Sequence, residues 1–119
     1  MPAEELEALR KASEGLLYPS ETDAPFEVIA LPAAPSAREA LRAADKLQGK
    51  VEEVSLDKFF GELSDSDDAG KFAKLKRTLV ETLTDTKVYR VGTPHAHVYI
   101  IGKTKSGVIA GLRTMSVDT

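Results

Sequence analysis

Cysteine and tryptophan are both absent from the 119 residues, and histidine occurs only twice. Without cysteine there is no disulfide framework, no thiolate metal site and no cysteine nucleophile, which suits a reducing compartment and makes the cytoplasm the expected location. Long apolar runs are missing too. Nothing approaches the roughly 20 residues that cross a bilayer, and Met1-Pro2-Ala3-Glu4-Glu5 has neither a basic stretch nor an apolar one, so neither membrane insertion nor secretion is expected. Positive charge is not in excess: 16 Lys and Arg face 19 Asp and Glu, a net charge of -3. A nucleic-acid binder usually carries a basic surface to displace counterions from phosphates, so this balance points away from nucleic acid and towards a basic protein partner. A hydrophobic fraction of 42% over 119 residues is enough to close one core without staples, so one domain spanning 1–119 is expected.

The apolar spacing then sets out the elements. Leu6, Leu9, Ala12 and Leu16 lie near one helical face between Glu4 and Gly15, with the two first-turn glutamates favouring the dipole and Gly15 at the stop. Tyr18 to Pro25 has two prolines and no apolar period, so it reads as a connection before the extended run Phe26 to Leu31. Ser36-Ala37-Arg38-Glu39 has capping-box spacing ahead of Ala40, Leu41, Ala44 and Leu47, with Gly49 as the stop of a second helix. Val51 to Leu56 is a short strand, and Leu56, Phe59, Phe60 and Leu63 follow at helical spacing before the acidic loop Ser64 to Asp68. Phe72, Leu75, Leu79, Val80 and Leu83 mark a longer amphipathic helix from Ala69. The rest is a meander of strands: Val88 to Val91, Val98 to Ile101, a turn through Lys105-Ser106-Gly107, and Val108 to Val117. Helices on both faces of a mostly antiparallel sheet make an α+β domain, a three-layer α/β/α sandwich.

Catalytic arrangements are few. His95 and His97 share a strand face, as a two-histidine metal site needs, but Tyr99 and Ile101 continue that face and spacing identifies no third ligand. Glu52 and Glu53 point to opposite faces of a strand and so cannot share a substrate as an acid/base pair. Gly102, Gly107 and Gly111 fit no phosphate-cradling pattern, and there is no Gly-x-Ser-x-Gly elbow. The cluster Lys71, Lys74, Lys76 and Arg77 reads as the solvated side of a helix. The chain is expected not to be an enzyme and to hold no cofactor of its own.

The last residues carry more information. Ser116-Val117-Asp118-Thr119 follows straight from a strand, so Thr119 is expected to offer a hydroxyl beside a carboxylate. Both are hard oxygen donors of the kind Mg²⁺ and Ca²⁺ accept, and a projecting strand end can reach a metal in another protein's cleft.

Several blocks resemble a known family in their order. Leu9-Arg10-Lys11-Ala12-Ser13-Glu14-Gly15-Leu16-Leu17-Tyr18-Pro19-Ser20-Glu21-Thr22-Asp23-Ala24-Pro25-Phe26-Glu27-Val28 is similar to the opening of the nuclease A inhibitor family, inhibitors of a sugar-non-specific DNA/RNA endonuclease. Asp57-Lys58-Phe59-Phe60, Lys71-Phe72-Ala73-Lys74-Leu75, Val88-Tyr89-Arg90-Val91-Gly92, Val98-Tyr99-Ile100-Ile101-Gly102, Ala110-Gly111 and the close Val117-Asp118-Thr119 continue the match. The resemblance covers most of the chain except about 32–49.

The resemblance implies a 1:1 complex with a DNA/RNA non-specific endonuclease and a monomer when free. It implies that the Thr119 hydroxyl is a ligand to the partner's catalytic Mg²⁺, and that Glu21 stands in for the charge of the scissile phosphate. A fixed carboxylate near a metal and basic side chains mimics an anionic substrate while offering no bond to cleave. The family's longer loop before the main helix carries an aspartate and a tryptophan that make a second contact. Here the stretch from Gly61 to Gly70 is shorter and lacks tryptophan, which leaves Asp65, Asp67 and Asp68 as candidates for its acidic part. Two alternatives stay open: an interaction domain of the same fold with a non-nuclease partner, and a small metal-dependent enzyme using His95 and His97.

Overall fold

The computed structural model describes residues 3–18, 24–31, 34–43, 51–64, 69–92 and 95–117. Helix α1 spans Ala3–Ser13 and leads through Gly15, at φ +78°, into a two-residue strand β1, Leu17–Tyr18. The left-handed turn at Gly15 is open to a residue without a Cβ. Strand β2, Ala24–Pro25, pairs antiparallel with β1, so the expected plain connection is instead a small hairpin. Strand β3 is Glu27–Ala30 and helix α2 is Ala37–Ala43, opened by the Ser36 hydroxyl accepting from the Glu39 amide at 3.2 Å. Strand β4, Val51–Val54, precedes helix α3, Leu56–Glu62, where the Ser55 hydroxyl accepts from the Lys58 amide at 3.2 Å. Helix α4 is Ala69–Thr82, and strands β5, Thr84–Val91, β6, His95–Lys103, and β7, Ile109–Val117, complete the order. Gly49 and Leu47, expected at the end of the second helix, lie outside the described residues.

Five strands form one sheet in the order β3-β7-β6-β5-β4, every pairing antiparallel. Strand β6 alternates its side chains between two cores. Val98 and Ile100 pack with Leu9 of α1, Phe59 and Phe60 of α3, and Phe72, Leu75 and Leu79 of α4. Tyr99 and Ile101 pack on the other face with Ala37, Ala40 and Leu41 of α2. The four consecutive residues Val98 to Ile101 are all buried because helices cover both faces at this point. The result is the three-layer sandwich, with α1, α3 and α4 below the sheet and α2 above it.

Two details differ from the sequence expectations. Val80 is 58% exposed, although its neighbour Leu79 is fully buried. One residue further along a helix turns the side chain by about 100°, and the stripe facing the sheet is filled by Phe72, Leu75 and Leu79. The meander strands are also longer than their apolar runs, because Thr84 to Lys87 and His95 to His97 extend the backbone pairing with polar side chains. Among the described residues no helix is long and apolar enough to cross a membrane.

Candidate functional site

The strand register gathers several chain segments at one end of the sheet. Val117 pairs with His95, His97 with Val91, and Val91 with Val51, so the ends of β5 and β7 lie beside the starts of β4 and β6. Strand β3 pairs with the first half of β7, and its start, Glu27, stands opposite Arg113 at mid-strand. The β1–β2 hairpin rests on β7, with both strands in contact with it. There the Thr114 hydroxyl donates to the Ala24 carbonyl at 3.3 Å.

The other foot of the hairpin is tied across the sheet. Tyr18 is 6% exposed, and its ring stacks on Phe59 with centroids 5.4 Å apart and meets the edge of Phe26 at 6.4 Å. That packing fixes where the hydroxyl points, and Arg90 Nη2 donates to it at 2.9 Å. The same guanidinium nitrogen lies 3.8 Å from Glu62 Oε2 at the end of α3. Arg90 therefore stands between the foot of the hairpin and the helix end that precedes the acidic stretch. Its side chain is only 22% exposed, and its Nε is buried without a hydrogen-bond partner among the described residues. Opposite it on β4 stands Glu52.

The residues singled out from sequence fall on both sides of what is described. Glu21, Asp65, Asp67, Asp68 and Thr119 lie outside the described residues, while the chain on either side of each internal stretch, and up to Val117 before the last, is described. His95 and His97 do share a face, the one that also carries Tyr99 and Ile101. His95 is exposed, and the half-buried His97 has its Nδ1 buried without a hydrogen-bond partner among the described residues, its ring 6.3 Å from that of Tyr99. Among the described residues no three His, Cys, Asp or Glu side chains gather as a metal site. Glu52 and Glu53 stand on a strand opposite Arg90 and Tyr89 and so face opposite ways, as expected. Of the cationic cluster on α4, Lys76 is paired with Asp57 at 2.6 Å.

Two tyrosines on the α2 face are shifted. Burial, then the charge and hydrogen bond of Glu53, push the Tyr89 hydroxyl up to about 12. Burial raises Tyr99 as well, partly offset by Arg113. Neither is poised to act as an acid or base near neutral pH. Two recesses adjoin these elements: a groove of about 430 Å³ lined by residues such as Arg10, Leu16, Leu17, Pro25 and Phe26, beside the hairpin, and one of about 220 Å³ lined by Pro35, Asp85, Lys103 and Tyr89 itself.

Sequence reasoning passed over Tyr18, Arg90 and Thr114. A signal for Arg90 was present, because in Val88-Tyr89-Arg90-Val91 the arginine shares strand parity with Val88, which faces the α1, α3 and α4 core. A charged residue at an inward position is seldom buried without a partner.

No curated protein is similar enough to the chain to count as a match. A family model described as nuclease A inhibitor-like protein matches residues 3–119. That match runs through the hairpin, the sheet and the final residues alike, and the chain belongs to the nuclease A inhibitor-like family.

Proposed function

We propose that the chain inhibits a sugar-non-specific, metal-dependent endonuclease by filling its active site. The Thr119 hydroxyl is the ligand to the partner's Mg²⁺, the Glu21 carboxylate takes the place of the scissile phosphate, and Asp65, Asp67 or Asp68 makes a second contact. Inhibition is by occlusion, in a 1:1 complex in the cytoplasm, with no turnover by the inhibitor.

One observation carries this reading beyond family membership. The described residues flanking 19–23, the helix end before 65–68 and the strand leading to 118–119 are linked through Arg90–Tyr18, Arg90–Glu62 and Thr114–Ala24. Those three stretches contain Glu21, Asp23, Asp65, Asp67, Asp68 and Asp118, and no lysine or arginine. Chain length limits how far they reach: Glu21 is three residues from both Tyr18 and Ala24, which keeps its Cα within about 11 Å of each. Thr119 is two residues past Val117, or at most about 7 Å. Anionic residues tethered within that reach of neighbouring anchors suit a cleft built to hold a polyanion through basic side chains and a metal.

The test is Glu21→Gln, which keeps the shape and removes the charge. Inhibition of an endonuclease that the native chain blocks should weaken by about 1.5–3 kcal/mol, the worth of a charge-assisted hydrogen bond. An unchanged inhibition constant rejects the role of Glu21. A second reading, a non-nuclease partner for the same end of the fold, is favoured by the absence of tryptophan, since a buried aromatic commonly anchors a tight interface. Capture from lysate with and without EDTA separates the two, because the metal-bridged complex is lost on chelation.

A further inference from the structure

We infer that Arg90 and the Tyr18 hydroxyl form a brace that positions two partner-contact stretches relative to one another. The inference rests on the inhibitor reading above and extends it to residues that touch neither the partner nor its metal. Tyr18 is the last residue of β1, at the foot of the hairpin that carries Glu21. Glu62 is the last residue of α3, three positions before Asp65. A single guanidinium nitrogen on β5 contacts both, at 2.9 Å and 3.8 Å.

Three properties suit Arg90 to this task. It projects from a strand paired on both sides, with β4 and β6, so its backbone is held by the sheet. Most of its side chain is shielded from water, which strengthens its hold on the buried Tyr18 hydroxyl relative to an exposed contact, while the Glu62 carboxylate, 54% exposed, adds a weaker contact. Guanidinium is also a planar fork that meets two acceptors at fixed angles, whereas an ammonium is a point charge on a flexible stem. The hairpin needs such a tie. Its two strands have two residues each, and isolated pairs of that length are not stable alone.

A loop that reaches a catalytic cleft binds more tightly when its ordering cost is met before encounter. The brace lowers that cost for the hairpin and fixes its distance from the end of α3. Removing it should therefore weaken inhibition through Glu21 while leaving the folded core in place.

The sharpest variant is Tyr18→Phe, which deletes the hydroxyl and keeps the ring stacked on Phe59. Arg90→Met removes the cation, and Arg90→Lys restores it without the fork. Against a metal-dependent, sugar-non-specific endonuclease that the native chain inhibits, Tyr18→Phe and Arg90→Met should each weaken inhibition by about tenfold, with Arg90→Lys in between. Glu21→Gln should then cost several-fold less in the Tyr18→Phe background than in the native one, because the two residues act through one another. Amide exchange of the free protein should quicken at Leu17, Tyr18 and Ala24 while the amides of α4 and β6 stay as protected as before.

Native inhibition by a folded Tyr18→Phe overturns the inference, and so does a loss of inhibition that simply adds to that of Glu21→Gln. Should Arg90→Met not fold, Tyr18→Phe decides alone. A native chain that inhibits no such nuclease rejects the inhibitor reading instead. Exchange then still judges the brace, unchanged hairpin amides in Tyr18→Phe overturning it and faster ones supporting it.

Discussion

The Thr114 hydroxyl donates to the Ala24 carbonyl across 90 positions of sequence, at 3.3 Å. Thr114 belongs to β7, the strand that runs on to Val117 and the chain's last residues, and Ala24 belongs to the hairpin that carries Glu21. The bond ties together the two limbs that the proposed mechanism uses. A nuclease holds its metal and its phosphate site at one fixed spacing, so an inhibitor that fills both gains from a fixed spacing of its own.

Thr114→Val keeps the β-branched shape and deletes this donor. Thr114 is 2% exposed and Ala24 is half-buried, so the substitution removes one partly buried partner of the Ala24 carbonyl. Inhibition should fall by about 0.5–1.5 kcal/mol, the net worth of one hydrogen bond, with a stability loss of similar size. Titration calorimetry and urea unfolding of the same protein measure the two effects.

Alkaline pH should destabilise the fold through Tyr89. Its hydroxyl is raised from 10.0 to about 12, first by burial and then by Glu53, so the folded protein keeps its proton where the unfolded chain has released it. Stability contributed by the neutral phenol is fully present below pH 10 and is lost as pH rises towards 12, by up to about 2–3 kcal/mol for a shift of this size. Urea midpoints across that window should fall less in Tyr89→Phe than in the native chain. Glu53→Gln should lower the tyrosinate transition only in part, since burial is the larger cause.

Gly111 sits on β7 opposite Ile101 and Ile29, where a Cβ would lie 2.0 Å from the Ile100 carbonyl oxygen and 2.8 Å from the Ile101 Cα. Both atoms belong to the backbone of a central strand and cannot swing aside. Gly111→Ala should cost about 3 kcal/mol or more, at the upper end of overpacking penalties. Gly61, in α3, meets nothing within 4 Å, so Gly61→Ala should instead gain about 0.5–1 kcal/mol. Opposite shifts of the urea midpoint check the pair.

The layers were legible in sequence because their signals are local. Ser36 three residues before Glu39, and Leu75 four before Leu79, announce helices without reference to the rest of the chain. Val98 to Ile101, apolar at every position, already suits a strand buried on both faces. Where Val80 misled, the stripe was wide enough for five residues, and only packing decides which of them face the sheet. The site was legible differently. The role proposed for Glu21 rests on resemblance to a family, because a loop glutamate is common in any sequence, whereas the hard-donor character of Thr119 was readable from the last residues and only its nuclease setting came from the resemblance. Tyr18, Arg90 and Thr114 act through pairings between 72 and 90 positions apart, and no local pattern encodes a separation of that length. The polar residue at an inward strand position was the one trace of them.

The central claim is that the Thr119 oxygen reaches the partner's metal. Mg²⁺ holds its ligands at about 2.0–2.1 Å with little departure from octahedral geometry, so the donor atom and its position both matter. The decisive measurement is the inhibition constant of Thr119→Ser, Thr119→Val and a chain extended beyond Thr119, against an endonuclease that the native chain inhibits, in Mg²⁺. The account predicts that serine, which keeps the donor, inhibits far better than valine, and that the extension obstructs docking, with all three proteins melting like the native one. Valine and extended chains that inhibit as well as the native protein would contradict the metal bridge outright.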